Sequence, residues 1–241
     1  MKKSENNSSG AFPFEEDAKT NDGYVYTTHA GYSCAVANQH LTEVSMKWLE
    51  TLPECRSVAD LGCGDGAYTA LLSQKMPHIL FQGGDPAPSA VVIAQKNHPE
   101  VSFFVCDLLH KKSLTTHSSD AVILRGVIHH VSDAQEALRN AVQCGNNLLL
   151  IEPNGWNFLV KIIEKTSKYH RLHGEKSYTS SRLRNWITQA GGTVVREYYV
   201  GLVPFFCPKW AARLLQKVQP FIEKSFLAPL LCGQVVLEIR C

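Results

Sequence analysis

The chain has 241 residues, 44% hydrophobic and 19% charged, with 24 basic residues against 22 acidic and a formal net charge of +2. That length buries one α/β core without help from disulfides or metals. The near-balanced charge argues against a dedicated nucleic-acid binder, which carries a basic stripe or a strong basic excess. Eight cysteines occur without a CxxC pair; reduced, buried thiols are expected rather than a disulfide framework, and no metal site is expected. The polar start at residues 1–9 lacks an apolar leader segment, and no run is long enough to span a bilayer; a cytoplasmic location is expected.

Residues 1–22, rich in Ser, Asn, Lys and Glu, read as a flexible arm, and residues 23–241 as a single domain. Tyr24, Tyr26 and Tyr32 lead into an amphipathic helix over 34–52, which stops before Pro53. Apolar runs then alternate with helical patterns. Strands are expected at 57–59, 79–81, 101–106, 121–124 and 148–151, with helices at 67–76, 89–97 and 134–144 between them. Short, continuously apolar strands separated by helices indicate a parallel sheet covered on both faces, a doubly wound Rossmann-like fold. Farther on, helices are expected at 158–169, 181–190 and 210–226, and the last two strands at 193–200 and 234–239. That makes seven strands, with helical cap elements over 23–52, 154–190 and 204–231.

In such a fold, ligands lie beyond the carboxyl ends of the strands. Four of the five places where these strands end carry an acidic residue: Asp60–Gly66, Asp85, Asp107 and the stretch after Ile151 that opens with Glu152. The fifth is the run from Arg125 to His130. The most specific segment is Val58-Ala59-Asp60-Leu61-Gly62-Cys63-Gly64-Asp65-Gly66. Its glycines let the backbone turn sharply and approach a ligand closely. Gly62, Gly64 and Ala67 also satisfy a relaxed dinucleotide pattern, so a nicotinamide or flavin enzyme competes. Asp60 and Asp65 would repel a diphosphate but suit a ligand with a sulfonium and an amino group. Asp85 is spaced to meet ribose hydroxyls in either case. The carboxylates favour S-adenosylmethionine.

This loop and the segment Asp120-Ala121-Val122-Ile123-Leu124-Arg125-Gly126-Val127-Ile128-His129-His130-Val131 resemble the class I S-adenosylmethionine-dependent methyltransferases. The resemblance runs from about Val58 to Pro153. It implies that Asp60, Gly62, Cys63, Gly64 and Gly66 underlie the methionine and ribose, with Asp85 on the ribose hydroxyls and Pro86 beside the adenine. It also implies that Asp107 meets the adenine amino group and the Leu108 amide an adenine ring nitrogen. Arg125 and Gly126 would pass the methionine carboxylate end, and the Arg125 side chain could pair with that carboxylate or with the acceptor.

Methyl transfer from a sulfonium needs alignment and exclusion of water, and acid–base help only when the acceptor must lose a proton. His129 and His130 are the candidate bases, since an imidazole titrates near neutrality. Because they are adjacent, at most one should face the acceptor. Glu152, Asn154 and Trp156, in a segment similar to the family's EPN stretch, together with Tyr32, are candidate acceptor contacts. The polar cluster 169–176 reads as a solvated connection. The apolar stretch 204–231 reads as packing plus a greasy lid, with a weak peripheral lipid contact as another role for its Lys and Arg residues. Methyl transfer to an oxygen of a small, partly apolar acceptor is expected, by a monomer or homodimer. Carbon or nitrogen acceptors stand below it, as do a tRNA or protein substrate and a non-catalytic cofactor-binding protein.

Overall fold

The structure, a computed structural model, describes residues 31–114, 119–166 and 176–241, without the side chains of residues 163, 165 and 166. The expected arm at 1–22, Tyr24 and Tyr26, and the cluster at 169–175 lie outside the described residues. Seven strands form one sheet: β1 (Ser57–Leu61), β2 (Leu80–Asp85), β3 (Ser102–Val105), β4 (Ser119–Arg125), β5 (Gly145–Pro153), β6 (Thr193–Val200) and β7 (Gln234–Arg240). Their order is β3-β2-β1-β4-β5-β7-β6, and β7 runs antiparallel between β5 and β6 while the other neighbours pair in parallel.

Nine α-helices are described: α1 (Tyr32–Glu50), α2 (Ala67–Lys75), α3 (Pro88–Asn97), α4 (Lys111–Leu114), α5 (Ala134–Ala141), α6 (Phe158–Thr166), α7 (Ser180–Gln189), α8 (Lys209–Ile222) and α9 (Ala228–Leu231). A 3₁₀ turn, Ile128–His130, follows β4.

The period-2 alternation of a strand divides the central residues between two cores. Val122, Leu124, Leu148 and Leu150 face one side, with Leu138 of α5 and with Leu183 and Ile187 of α7. Ala121, Ile123, Leu149 and Ile151 face the other, against Leu41, Val44, Trp48 and Leu49 of α1 and Leu72 of α2. Both faces of β4 and β5 are therefore buried, which is why these strands read as unbroken apolar runs.

Two of the helices in the stretches read as cap elements are placed differently from each other. Helix α7 covers the sheet, because Leu183 and Ile187 are wholly buried in the first core. The stripe Trp210, Leu214, Val218 and Phe221 of α8, in the stretch read as packing plus lid, is exposed. The inner side of α8 is instead made by Ala212 and Gln219, and the Gln219 side chain accepts a hydrogen bond from the Leu202 N–H at 3.1 Å. Six of the eight cysteines are buried, and among the described residues no helix is long and apolar enough to cross a membrane.

Leu149 sits in the middle of β5 with no solvent exposure. Leu149→Ala is expected to lower stability by about 2–5 kcal/mol through lost burial and a residual cavity. Urea unfolding will show this as a lower midpoint with an unchanged slope.

Candidate active site at the carboxyl edge of the sheet

The glycine loop is strapped to the end of β2. The N–H groups of Gly62 and Cys63 donate to the Gly84 carbonyl, and the Gly64 N–H donates to Asp85 Oδ2 at 2.9 Å. Asp85 Oδ1 accepts from the Ala87 N–H, also at 2.9 Å. Each carboxylate oxygen can accept a second bond, so Asp85 keeps capacity for hydroxyl donors. Gly62, Gly64 and Gly66 all have positive φ, at 86°, 58° and 77°. A Cβ on Gly62 would strike Val127 at 2.4 Å, so this glycine also lets the loop pack against the turn after β4.

Asp60 is 2% exposed and accepts a hydrogen bond from Thr69 Oγ1 at 2.6 Å. Burial pushes its carboxyl up to about 6, with Thr69 and the Arg125 charge pulling down and Asp85 pushing further up. Asp65 and Asp85 are buried in the same loop region. This donor set suits a cationic sulfur compound bearing an amino group, and it would repel a diphosphate. Gly126, at the end of β4, has φ 67°, and a Cβ there would meet only His129 Cε1 at 3.7 Å. The backbone at Gly126 thus borders open space that any side chain would fill.

Arg125 contacts α1 and α2. Its guanidinium donates to Asn38 Oδ1 of α1 and lies over the Tyr68 ring at 4.3 Å. Burial raises the Tyr68 hydroxyl to about 12, and that hydroxyl donates to Ser45. Sequence reasoning missed Asn38, Tyr68 and Thr69. The available signal was a polar Asn38 on the buried side of α1, between Cys34 and Leu41, and hydroxyls in the first turn after a glycine loop.

Beyond β4 the chain turns through Val127 into the 3₁₀ turn under the control of Glu152. This carboxylate is 1% exposed. Its Oε1 accepts from the Val127 and Ile128 N–H groups, both at 2.8 Å, and its Oε2 accepts from the His129 N–H at 3.2 Å. His129 Nδ1 stands 2.8 Å from Oε2. An ionised carboxylate only accepts, so Nδ1 carries the proton and Nε2 is the basic nitrogen. The His130 ring lies against the His129 ring, with centroids 3.8 Å apart.

The expected acceptor contacts separate. Glu152 is buried and serves this turn and His129. Asn154 is fully buried, its amide donating to the carbonyls of Pro229 and Cys232 and its Oδ1 accepting from the Trp156 N–H. It ties the end of β5 to α9, because a chain reversal before an antiparallel strand leaves carbonyls that need donors. Trp156 is half exposed at that edge. The Tyr32 hydroxyl donates to Gln216 of α8, and its ring lies near the Lys209 and Arg213 cations. Tyr32 therefore joins α1 to α8. Asp107 accepts from the Leu109 N–H and pairs with His110, both next to it in the chain. Leu108 and Pro86 lie beside Asp107 and Asp85; the Leu108 carbonyl accepts from Asn140 at 2.8 Å.

Residues 58–146 match the sequence family described as a methyltransferase domain. That stretch, short of half the chain, carries the sequence pattern of a methyltransferase domain. A tRNA (carboxymethyluridine(34)-5-O)-methyltransferase of Macaca fascicularis is 26% identical over 164 residues, 64% of this chain and 23% of that protein. A trans-aconitate 2-methyltransferase of Escherichia coli O139:H28 is 39% identical over 57 residues, 24% of this chain and 23% of that one. The matched stretch thus spans about a quarter of either relative. The fold is shared with the magnesium protoporphyrin IX methyltransferase of Synechocystis PCC 6803 with bound SAH, at a TM-score of 0.61 and 17% identity over 93% of this chain and 100% of that one. A cleft of about 330 Å³ also opens at the opposite edge of the sheet, between Leu49, Cys55, Met76 and Ile79. It lies away from Asp60, Asp85 and His129.

The buried Asp60 has a pH signature. Its carboxyl lies near 6 when folded and near 3.8 otherwise, so ionising it opposes folding. The stability contributed by the protonated form is complete below about pH 4 and is lost as pH rises through about 6. For the protein without ligand, urea unfolding is expected to show a loss on the order of 3 kcal/mol from this group across that window, and Asp60→Asn is expected to flatten it.

Proposed function

We propose that this chain transfers a methyl group from S-adenosylmethionine to an oxygen of a small, partly apolar acceptor, with His129 as the base. The observation that carries this reading is the 2.8 Å contact between His129 Nδ1 and the buried Glu152 carboxylate. It leaves Nε2 as the nitrogen able to take a proton, on the strand edge where the loop and Gly126 lie.

When bound, the donor supplies a methyl on a sulfonium, an electrophile that needs no further activation. Asp60, Gly62, Cys63, Gly64 and Gly66 hold its methionine and ribose portions, and Asp85 accepts from the ribose hydroxyls. Asp107, Leu108 and Pro86 bound the adenine side. Gly126 keeps the approach open where a side chain would intrude. His129 removes the acceptor proton as the oxygen attacks, while Glu152 fixes the ring tautomer and offsets the positive charge that the ring acquires. His130 packs against His129 and limits its ring rotation. Trp156, exposed beside this edge, offers a flat apolar face to the acceptor. The acceptor of the trans-aconitate methyltransferase, as named, is a small molecule, which agrees with this reading. The tRNA-modifying relative supports RNA as the second reading.

Two measurements test the proposal. With methyl-labelled donor and fractionated cell extract, label should appear in small molecules; label confined to RNA would move the assignment to the second reading. Against the labelled small-molecule fraction, His129→Ala is expected to lower turnover by about 10²–10⁴-fold while changing S-adenosylhomocysteine affinity by less than about threefold. Glu152→Gln should lower turnover in the same direction, shift the pH–rate profile and, because its amide leaves a backbone donor unmet, lower the melting temperature as well. Equal loss of turnover and cofactor affinity in His129→Ala would reject the base role.

A further inference from the structure

The topology gathers exposed apolar side chains on one edge. Thirteen of the seventeen exposed large hydrophobic residues belong to α1, to the stretch after β5, or to the segment between β6 and β7. Strand β6 ends and β7 begins at the carboxyl edge, where Val200 pairs with Gln234 and Gln234 with Pro153. The segment between them therefore starts and ends beside the candidate active site.

Within it, Trp210, Leu214, Val218 and Phe221 recur at helical spacing on α8 and form a continuous outward stripe, with Trp210 73% and Phe221 77% exposed. Phe226, 88% exposed, follows it. At 100° per residue, Lys209, Arg213 and Lys217 fall in a row along one side of this stripe, and Lys224 follows in the same direction. Residues 201–231 hold four basic residues and one acidic, Glu223. Glu223 is committed inward, accepting from the Gly201 N–H at 2.8 Å and contacting His40 at 2.8 Å. The segment carries a formal +3 (4 − 1), whereas the whole chain carries +2, so everything else sums to −1.

We infer that the outward face of α8 and Phe226 docks this protein on an anionic lipid bilayer surface. Aromatic and aliphatic side chains enter the headgroup–acyl boundary, while the adjoining Lys and Arg side chains meet lipid phosphates. Charge selects this occupant over a second copy of the chain. An antiparallel two-fold pairing of α8 through this face would set each basic row against its twin. The inference stands on the surface alone and does not depend on the acceptor or on His129.

The test uses the full chain with sedimented vesicles of phosphatidylcholine alone or with about 30% phosphatidylglycerol. Binding to the anionic vesicles is expected to be at least about tenfold tighter than to neutral ones, and to weaken several-fold in about 0.5 M salt. Trp210→Asp with Phe221→Asp is expected to cut vesicle binding at least about tenfold, with melting temperature and S-adenosylhomocysteine affinity unchanged. Arg213→Gln with Lys217→Gln is the gentler second variant and should reduce the preference for anionic lipid. Absence of vesicle binding, equal binding to both compositions, or undiminished binding by both variants would overturn the inference. So would a concentration-dependent dimer that the first variant disrupts, in a protein that ignores vesicles.

Discussion

One buried carboxylate organises the candidate active site. Glu152 leaves the end of β5 and accepts four hydrogen bonds, three from consecutive backbone N–H groups after β4 and one from the His129 ring. A 3₁₀ turn opening at a strand end leaves donors unsatisfied, and water cannot reach this depth to serve them. Glu152 meets that requirement, joins β4 to β5 beyond their last paired residues, and orients the imidazole in the same arrangement. Backbone need and side-chain chemistry converge on one group, so neither can change alone.

The opposite half of the edge follows a complementary logic. There backbone donors of the glycine loop are met by Gly84 and Asp85, and the carboxylates of Asp60, Asp65 and Asp85 lie buried beside them. Asp60 is held in that setting at the cost of a raised proton affinity. The Arg125 guanidinium engages Asn38 and Tyr68 while its charge still lowers the Asp60 carboxyl. The buried carboxylates suit a ligand that brings a positive charge.

Helix α8 illustrates how an amphipathic pattern underdetermines orientation. Its spacing of Trp210, Leu214, Val218 and Phe221 is that of a core helix, yet Ala212 and Gln219 are the buried residues. The polar contacts of Gln219 and Glu223 with Leu202, Gly201 and His40 anchor the helix by its other side. A periodic apolar stripe announces burial against something, and only the surrounding chain decides whether that partner is internal.

The sequence alone determined the strand and helix alternation, the glycine loop after β1, the acids at the strand ends and the histidines after β4. These are local: period, turn chemistry and the carboxyl-edge rule read directly from neighbouring residues. Tertiary structure decided which polar groups are spent inside the protein. Glu152, Asn154 and Tyr32 read as acceptor contacts because they sit at the right edge. Their partners stand 23–25, 75–78 and 184 residues away in the chain. Hydrogen bonds across such separations depend on how β5, β7, α1 and α8 pack, and no local pattern encodes them.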